Sequence, residues 1–263
     1  MKIPFTKAHG ARNDFLLSWS DGIPEIGRAD LARAICDRHT GAGADGWIVM
    51  SRAPGADVAI ELWNSDGSTS AISGNGTRCA AALVIETDHV SILTGAGLKH
   101  LRLLNRTGHV YRFEMNMGRP AMQELHANVQ GHDATILDVG NPQCAIFVSD
   151  FSLDWRTIGA SIERDPRFPN RTNVSFIRAV DRHSIDVRFF ERGAGETMSS
   201  GTGSTGAAAA ALARGLVENP VEVRTPAGPL SARWQDDDLL LAGPAEIVAA
   251  GEFYFDPQSS LTI

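Results

Sequence analysis

The stretch SGNGTRCAAALV at residues 73–84 occurs a second time in the chain, in the altered form SGTGSTGAAAAAL at residues 200–212. Ser200 follows Ser73 by 127 residues. Nine residues before each serine, a polar residue ends an alternating stretch: Asn64 in WNSDGS and Glu191 in FERGAGET. Such matches at a fixed spacing predict that the chain contains two copies of one structural unit.

A third match supports the duplication, because Asn13 in HGARND and Asn141 in VGNPQC are 128 residues apart. The strand pattern is broken around MGRPAMQEL, at residues 117–125. Glycine and proline are typical of a connection between structural elements. We therefore expect a first half at residues 1–117 and a second half at 118–253.

Local patterns predict a mixed α/β fold with many short strands. Alternation of apolar and polar residues predicts strands at 57–63, 110–115, 184–190 and 221–225. Helices are expected at 29–38, from Gly76 to about residue 86, and from Thr202 to about residue 216. The last two contain many small residues and almost no charge, so we expect both to be buried.

Each repeat predicts a polar loop followed by Ser-Gly-(Asn/Thr)-Gly at the start of an apolar helix. The free N–H groups and the dipole of a helix N-terminus favour an anion such as a carboxylate or a phosphate. The alternative is that both motifs are ordinary helix caps. GTGSTG (201–206) and GAGADG (41–46) also fit a dinucleotide pattern, but neither directly joins a strand to a helix, so we reject that interpretation.

Composition limits the class of protein and its partners. The 263 residues carry a net charge of −7, which argues against nucleic acid as a partner. No apolar run approaches the roughly 18 residues that cross a bilayer, and the N-terminus lacks a signal-like stretch, so we expect no membrane association and a cytoplasmic location. Cys36, Cys79 and Cys144 are widely spaced, which predicts buried free thiols rather than a zinc site or disulfides.

The sequence resembles the diaminopimelate epimerase family, within the wider proline-racemase-like superfamily. The matching segments span nearly the whole chain: FTKAHGARNDF (5–15), RHTGAGADG (38–46), NSDGS (64–68), SGNGTRC (73–79), VGNPQ (139–143), NRTNV (170–174) and ERGAGETMSSGTGS (191–204). The resemblance implies two pseudo-symmetric α/β (α+β) domains, each a mixed, mostly antiparallel β-sheet or barrel around a central helix. One active site is expected between them, and the C-terminal residues 254–263 are expected to join the first half.

The resemblance also implies a function and a set of site residues. Members invert an α-carbon with two acid/base groups and without pyridoxal phosphate, metal or other cofactor. An amino-acid substrate is expected to contact side chains and a backbone cradle at two helix starts. The side chains are Asn13, Asn64, Asn141, Gln143, Asn173, Glu191 and Arg192, and the cradle residues are Gly74, Asn75, Gly201 and Thr202.

The chain departs from the family where Ser73 and Ser200 occupy the positions of its two cysteines. A serine hydroxyl is a far weaker acid than a thiol and needs an adjacent base, a role that Glu191 is able to fill. Gln143 also stands where the family usually has histidine, and Arg12 where it has glycine. Three explanations stay open: an engineered pair of substitutions, a natural branch that uses serine, and a relative that binds ligand without catalysis.

The sequence thus predicts a cofactor-independent isomerase with Ser73, Ser200 and Glu191 as catalytic residues. The expected reaction converts LL- to meso-diaminopimelate in lysine biosynthesis. The alternatives are an isomerase or racemase of another amino or small carboxylic acid on the same fold, and a non-catalytic binding relative. A homodimer is one alternative for the oligomeric state.

Overall fold

A computed structural model of the chain describes residues 1–24 and 27–256. The described residues form four helices: α1 (Arg28–Cys36), α2 (Gly74–Val84), α3 (Trp155–Glu163) and α4 (Gly201–Ala213). They form 17 strands: β1 (Lys2–Gly10), β2 (Asn13–Trp19), β3 (Gly46–Ala53), β4 (Ala56–Asn64), β5 (Thr69–Ser70), β6 (His89–Thr94), β7 (Gly97–Thr107), β8 (Val110–Asn116), β9 (Ala121–Val129), β10 (His132–Asp138), β11 (Pro142–Phe147), β12 (Asn173–Asp181), β13 (Ser184–Glu191), β14 (Gly195–Thr197), β15 (Val221–Thr225), β16 (Gly228–Gln235) and β17 (Asp238–Tyr254). The four predicted strands correspond to β4, β8, β13 and β15.

The chain divides into two compact units. Unit 1 contains Met1–Phe113 and the segment that begins at Pro244, and unit 2 contains Glu114–Gly243. The boundaries between the units lie at 113/114 and 243/244, whereas the sequence predicted 117/118 and 253/254. Both observed boundaries fall inside continuous strands, β8 and β17, where no linker sequence indicates them. In unit 1, residues 246–254 of β17 pair with β1. Of the C-terminal residues expected in the first half, 257–263 lie outside the described residues.

The strand pairings of the two units correspond one to one. In unit 1, β1/β2, β3/β4, β4/β5 and β6/β7 are antiparallel, whereas β2/β3 and β4/β6 are parallel. In unit 2, the same pattern is formed by β10/β11, β12/β13, β13/β14 and β15/β16, with β11/β12 and β13/β15 parallel. Each unit is therefore a mixed, mostly antiparallel sheet of the kind that the resemblance implied.

One helix in each unit is buried against the strands around it. In unit 1, α2 contacts β1, β2, β3, β4 and β6, and in unit 2, α4 contacts β10–β13, β15 and β16. Ala207–Ala211 of α4 are completely buried, which explains why this helix has no polar face. At Gly203, a Cβ atom would lie 2.8 Å from Cδ1 of Phe189, so the close approach of α4 to β13 requires glycine.

All three predicted helices end earlier than expected, and α2 ends at Val84 rather than near residue 86. Helix α1 stops at Cys36 rather than residue 38, because the Asp37 carboxylate accepts hydrogen bonds from the backbone N–H groups of His39 and Thr40 and forms a turn. Helix α4 stops at Ala213 because Gly215 adopts a φ of 67°. The N–H of Leu216 then reaches the carbonyl of Ala211, as in a Schellman cap.

Helix α3 was not predicted from the sequence. Its start is marked by Asp154, whose carboxylate accepts a hydrogen bond from the N–H of Thr157 at 3.2 Å. Gly159 obscures the pattern, and it is required because a Cβ there would lie 2.8 Å from Cβ of Phe190. The helix packs against β12 and β13, and thus lies behind the strands that lead to Asn173 and Glu191.

Two further expectations concern cysteines and membranes. Cys36, Cys79 and Cys144 are free and buried, as predicted. Within residues 1–24 and 27–256, no helix combines the length and apolar character that crossing a bilayer requires.

Candidate active site

Ser73 caps the buried helix of unit 1. Its hydroxyl oxygen accepts a hydrogen bond from the N–H of Gly76 at 3.2 Å, and its carbonyl accepts one from the N–H of Thr77 at 2.8 Å. In the described part of the chain, the N–H groups of Gly74 and Asn75 have no acceptor. These two amides belong to the residues that were predicted to form the first half of the backbone cradle.

The side chain of Asn75 is held at the tip of α2. Its Nδ2 donates to Oδ1 of Asn13 at 3.3 Å, and Nδ2 of Asn13 donates to the carboxylate of Asp45 at 2.8 Å. Gly10 allows this contact, since a Cβ there would lie 3.1 Å from Cα of Asn75. The structure thus brings together Asn13, Asn75 and Ser73 of the predicted site.

Asn64 lies in the turn that follows β4. Its Nδ2 donates to the hydroxyl of Ser68 at 2.9 Å, and its carbonyl accepts from the N–H of Gly67 at 2.9 Å. The next residue, Ser65, donates its N–H to the carbonyl of Asp45 at 3.1 Å. The turn of Asn64 is therefore connected to the loop that holds Asn13.

Ser200 repeats the arrangement in unit 2. Its hydroxyl oxygen accepts from the N–H of Gly203 at 3.0 Å, and its carbonyl accepts from the N–H of Ser204 at 3.0 Å. The N–H groups of Gly201 and Thr202 again have no acceptor among the residues that the structure describes. All four cradle amides predicted from the sequence are thus left available by their serine caps.

Glu191 is the acidic group beside the second serine. Burial raises the pKa of its carboxyl, and the interaction with the Ser200 hydroxyl lowers the pKa by a smaller amount, so that the net direction is upward. A carboxylate with a raised pKa is a stronger base than an exposed one. Ser200 therefore has the adjacent base that a hydroxyl needs in order to move a proton.

Asn141 and Gln143 form a second polar link to a helix tip. Nδ2 of Asn141 donates to the hydroxyl of Thr202 at 3.3 Å, and Nε2 of Gln143 donates to Oδ1 of Asn141 at 2.7 Å. Gln143 is 1% exposed, and its Oε1 is buried without a hydrogen-bond partner among the described residues. Gln143 thus orients Asn141 by donation, which a neutral amide does without exchanging a proton.

Asn173 and Arg192 lie at the turn that follows Glu191. Oδ1 of Asn173 accepts from the N–H of Arg192 at 3.1 Å, and Nδ2 donates to the carbonyl of Pro142 at 3.1 Å. The guanidinium of Arg192 is exposed and donates to the carbonyl of Asn170 at 2.9 Å. The side chain of Asn173 therefore binds backbone groups at this turn. Its direct contact with substrate stays a prediction.

The sequence did not reveal the contribution of Glu163, the last residue of α3. It is 1% exposed, and its Oε1 accepts from the N–H of Gly193 at 3.2 Å and pairs with Arg171. Burial opposes ionisation, but the hydrogen bonds from Arg171 and from the Gly193 backbone outweigh it and hold the pKa of Glu163 below its usual value. Glu163 thus fixes the turn that carries Glu191 and Arg192.

Comparison with known protein families agrees with the resemblance found in the sequence. A family model described as diaminopimelate epimerase matches residues 5–123 and 135–248. The chain belongs to the diaminopimelate epimerase family. The matched regions include every predicted site residue, from Asn13 to Thr202.

Relatives named diaminopimelate epimerase are similar over almost their whole length. The protein from Pelotomaculum thermopropionicum is 36% identical over 274 residues, which covers 95% of this chain and 98% of the relative. The one from Halothermothrix orenii is 34% identical over 278 residues, with coverage of 96% and 98%.

Solved structures of more distant proteins share the fold of this family. A hydroxyproline epimerase from Agrobacterium vitis has a TM-score of 0.74 at 17% identity, with 98% of this chain and 94% of that chain covered. A PhzF-family phenazine biosynthesis protein from Bacillus anthracis also has a TM-score of 0.74, at 14% identity, with coverage of 97% and 100%. These likenesses establish the architecture alone.

Proposed function

We propose that the chain is a cofactor-independent isomerase that converts LL-diaminopimelate to meso-diaminopimelate, a reaction of lysine biosynthesis. The observation that carries this proposal is full-length membership in the diaminopimelate epimerase family, with both helix caps and all predicted site residues inside the matched regions. The free amides of Gly74, Asn75, Gly201 and Thr202 support the proposal, because they suit the α-carboxylate of an amino acid.

The proposed chemistry is an exchange of the α-proton. Glu191, acting directly or through the Ser200 hydroxyl, accepts the proton as the Cα–H bond breaks, and the electron pair is delocalised into the substrate carboxylate. The helix N-termini stabilise the negative charge that develops there. The Ser73 hydroxyl delivers a proton to the opposite face. Solvent then returns a proton to Ser73 and takes up the proton held by Glu191, so both groups regain their starting state.

The serines at positions 73 and 200 are proposed as a natural variation of the family pattern. The raised pKa of Glu191 supports this proposal, since serine requires a base that a cysteine thiolate does not. The alternatives are an engineered pair of serines and a branch that has lost catalysis. Replacing both serines by cysteine tests the first alternative. If the serines are engineered, the restored thiols raise the isomerisation rate by orders of magnitude.

We also propose the setting in which the protein works. A small amino acid is its ligand, and nucleic acid and membranes are not partners, in line with the net charge of −7. A cytoplasmic location and a homodimer complete the proposal. Light scattering at micromolar protein concentration tests the dimer.

The decisive experiment follows the α-proton of LL-diaminopimelate by NMR in deuterated water. The proposal predicts that the protein exchanges this proton for deuterium, and that Glu191→Gln slows the exchange by at least about a hundred-fold, the lower range for one acid/base group. Glu218→Gln is the matched control, because Glu218 forms an exposed ion pair with Arg182 in unit 2. If the α-proton exchanges no faster with any variant, including the double cysteine variant, than it does in buffer without protein, the proposal is contradicted.

A second candidate function is ligand binding without turnover. The observation that favours it is the unactivated hydroxyl of Ser73, whose side-chain partner among the described residues is the N–H of Gly76 and not a carboxylate. Calorimetric binding of diaminopimelate without α-proton exchange supports this function over the isomerase.

A further inference from the structure

Arg78 is a buried cation without a carboxylate partner. It lies in the second turn of α2 with 0% exposure. Its Nε donates to the carbonyl of Pro244 at 3.1 Å, and one terminal nitrogen donates to Oδ1 of Asn75. The other, Nη1, is buried without an acceptor in the described part of the chain. Burial lowers the pKa of Arg78 to about 10, so the group is charged at neutral pH.

Such a residue is costly to the fold, because an unpaired buried charge loses the solvation that water gives it. Arg214 shows how the same chain treats a buried arginine that stabilises structure. The side chain of Arg214 is 6% exposed, and it forms a two-pronged ion pair with Asp133 at 2.6 and 2.9 Å. The position of Arg78 is also not required by the repeated fold, because its counterpart in unit 2, 127 residues later, is Thr205.

The contacts of Arg78 begin a directional series of hydrogen bonds. Arg78 donates to Asn75, Asn75 donates to Asn13, and Asn13 donates to the carboxylate of Asp45. A guanidinium group only donates and a carboxylate only accepts, so the two ends determine which way both amides between them face. Without Arg78, the Asn75 amide is free to exchange its oxygen and nitrogen positions.

The orientation decides what the two asparagines offer a ligand. The Oδ1 atom of Asn75 is engaged by Arg78, and that of Asn13 is engaged by Asn75. Each Nδ2 uses one hydrogen in the series and retains a second. Both side chains therefore remain hydrogen-bond donors, which suit a carboxylate and not an ammonium group.

We propose that Arg78 is a positioning residue that orients Asn75 and Asn13 as donors for a carboxylate of the amino-acid ligand. This inference rests on the proposed function, since it takes Asn13 and Asn75 as ligand-contacting residues. To the proposed function it adds that Arg78 orients the two asparagines, and that they recognise a carboxylate of the ligand. The buried charge is retained for binding at the expense of stability.

The test compares Arg78→Met, Arg78→Lys and the matched control Arg214→Met. Thermal unfolding, calorimetric binding of LL-diaminopimelate and the side-chain amide NMR signals of Asn13 and Asn75 are measured for each. We expect Arg78→Met to keep or raise Tm, to shift both amide signals, and to weaken binding by about ten-fold or more. Arg78→Lys retains one charged donor and gives an intermediate affinity. Arg214→Met lowers Tm, because it removes hydrogen bonds to the part-buried Thr135 hydroxyl and Ala134 carbonyl, and it binds normally.

Two results overturn the proposal. The first is that Arg78→Met leaves the amide signals and the affinity unchanged. The second is that Arg78→Met does not fold, because Arg78 then has the same structural role as Arg214. If the native chain itself does not bind diaminopimelate, the proposed function fails. The amide signals, which need no ligand, then still decide whether Arg78 orients the two asparagines.

Discussion

The carboxylate of Glu163, at the end of α3, accepts a hydrogen bond from the backbone N–H of Gly193 at 3.2 Å. The two residues are 30 positions apart in the chain, and Gly193 belongs to the turn directly after Glu191. A buried structural carboxylate thus holds the backbone that carries the candidate base. Replacing it should affect ligand binding even though Glu163 is 1% exposed.

Two substitutions of Glu163 separate geometry from charge. Glu163→Gln keeps an oxygen that accepts from Gly193, whereas Glu163→Leu leaves that N–H unpaired. We expect the leucine variant to lose roughly 1.5–3 kcal/mol of unfolding free energy and the glutamine variant to lose less. Urea unfolding measures this difference, and calorimetry with diaminopimelate should rank the affinities in the same order. Equal behaviour of both variants contradicts the assigned role.

The raised pKa of Glu191 predicts a pH-dependent stability. Since the folded state holds this proton more tightly than the unfolded state, stability falls as pH rises from the usual glutamate value of about 4.3 through the raised value. Glu191→Gln removes this loss. We therefore expect Glu191→Gln to have a higher Tm than the native chain at pH 7, with a difference that shrinks toward pH 4. A difference that grows on acidification would be the opposite of this expectation.

The glycines of α4 provide a test of packing. A Cβ at Gly203 would lie 2.8 Å from the Phe189 ring, whereas at Gly206 it would lie 3.1 Å from Cγ of Gln143, a contact that a shift of a few tenths of an ångström relieves. Gly203→Ala should destabilise by roughly 1–3 kcal/mol, more than the helix gains from alanine. Gly206→Ala should be nearly neutral, because that gain of about 1 kcal/mol offsets a milder contact. Chemical denaturation of both variants provides the comparison, and a larger loss in Gly206→Ala contradicts it.

The sequence predicted the repeated unit because its signals are local. The spacing between Ser73 and Ser200 identified two helix starts, and each serine lies at the N-cap position directly before a helix. One acceptor of Arg78, by contrast, is the carbonyl of Pro244, 166 residues away, and no local pattern indicates which distant carbonyl meets a buried arginine. Glu163 was missed for the same reason: its role depends on a turn that approaches it only in the folded chain.

The most direct test of the account is the formation of the second stereoisomer. LL-diaminopimelate is incubated with the purified protein, and chiral chromatography follows the appearance of meso-diaminopimelate over time. We predict that the meso form accumulates to equilibrium with serine at positions 73 and 200, and that Glu191→Gln prevents it. If only LL-diaminopimelate is recovered after long incubation at high protein concentration, the isomerase assignment is contradicted.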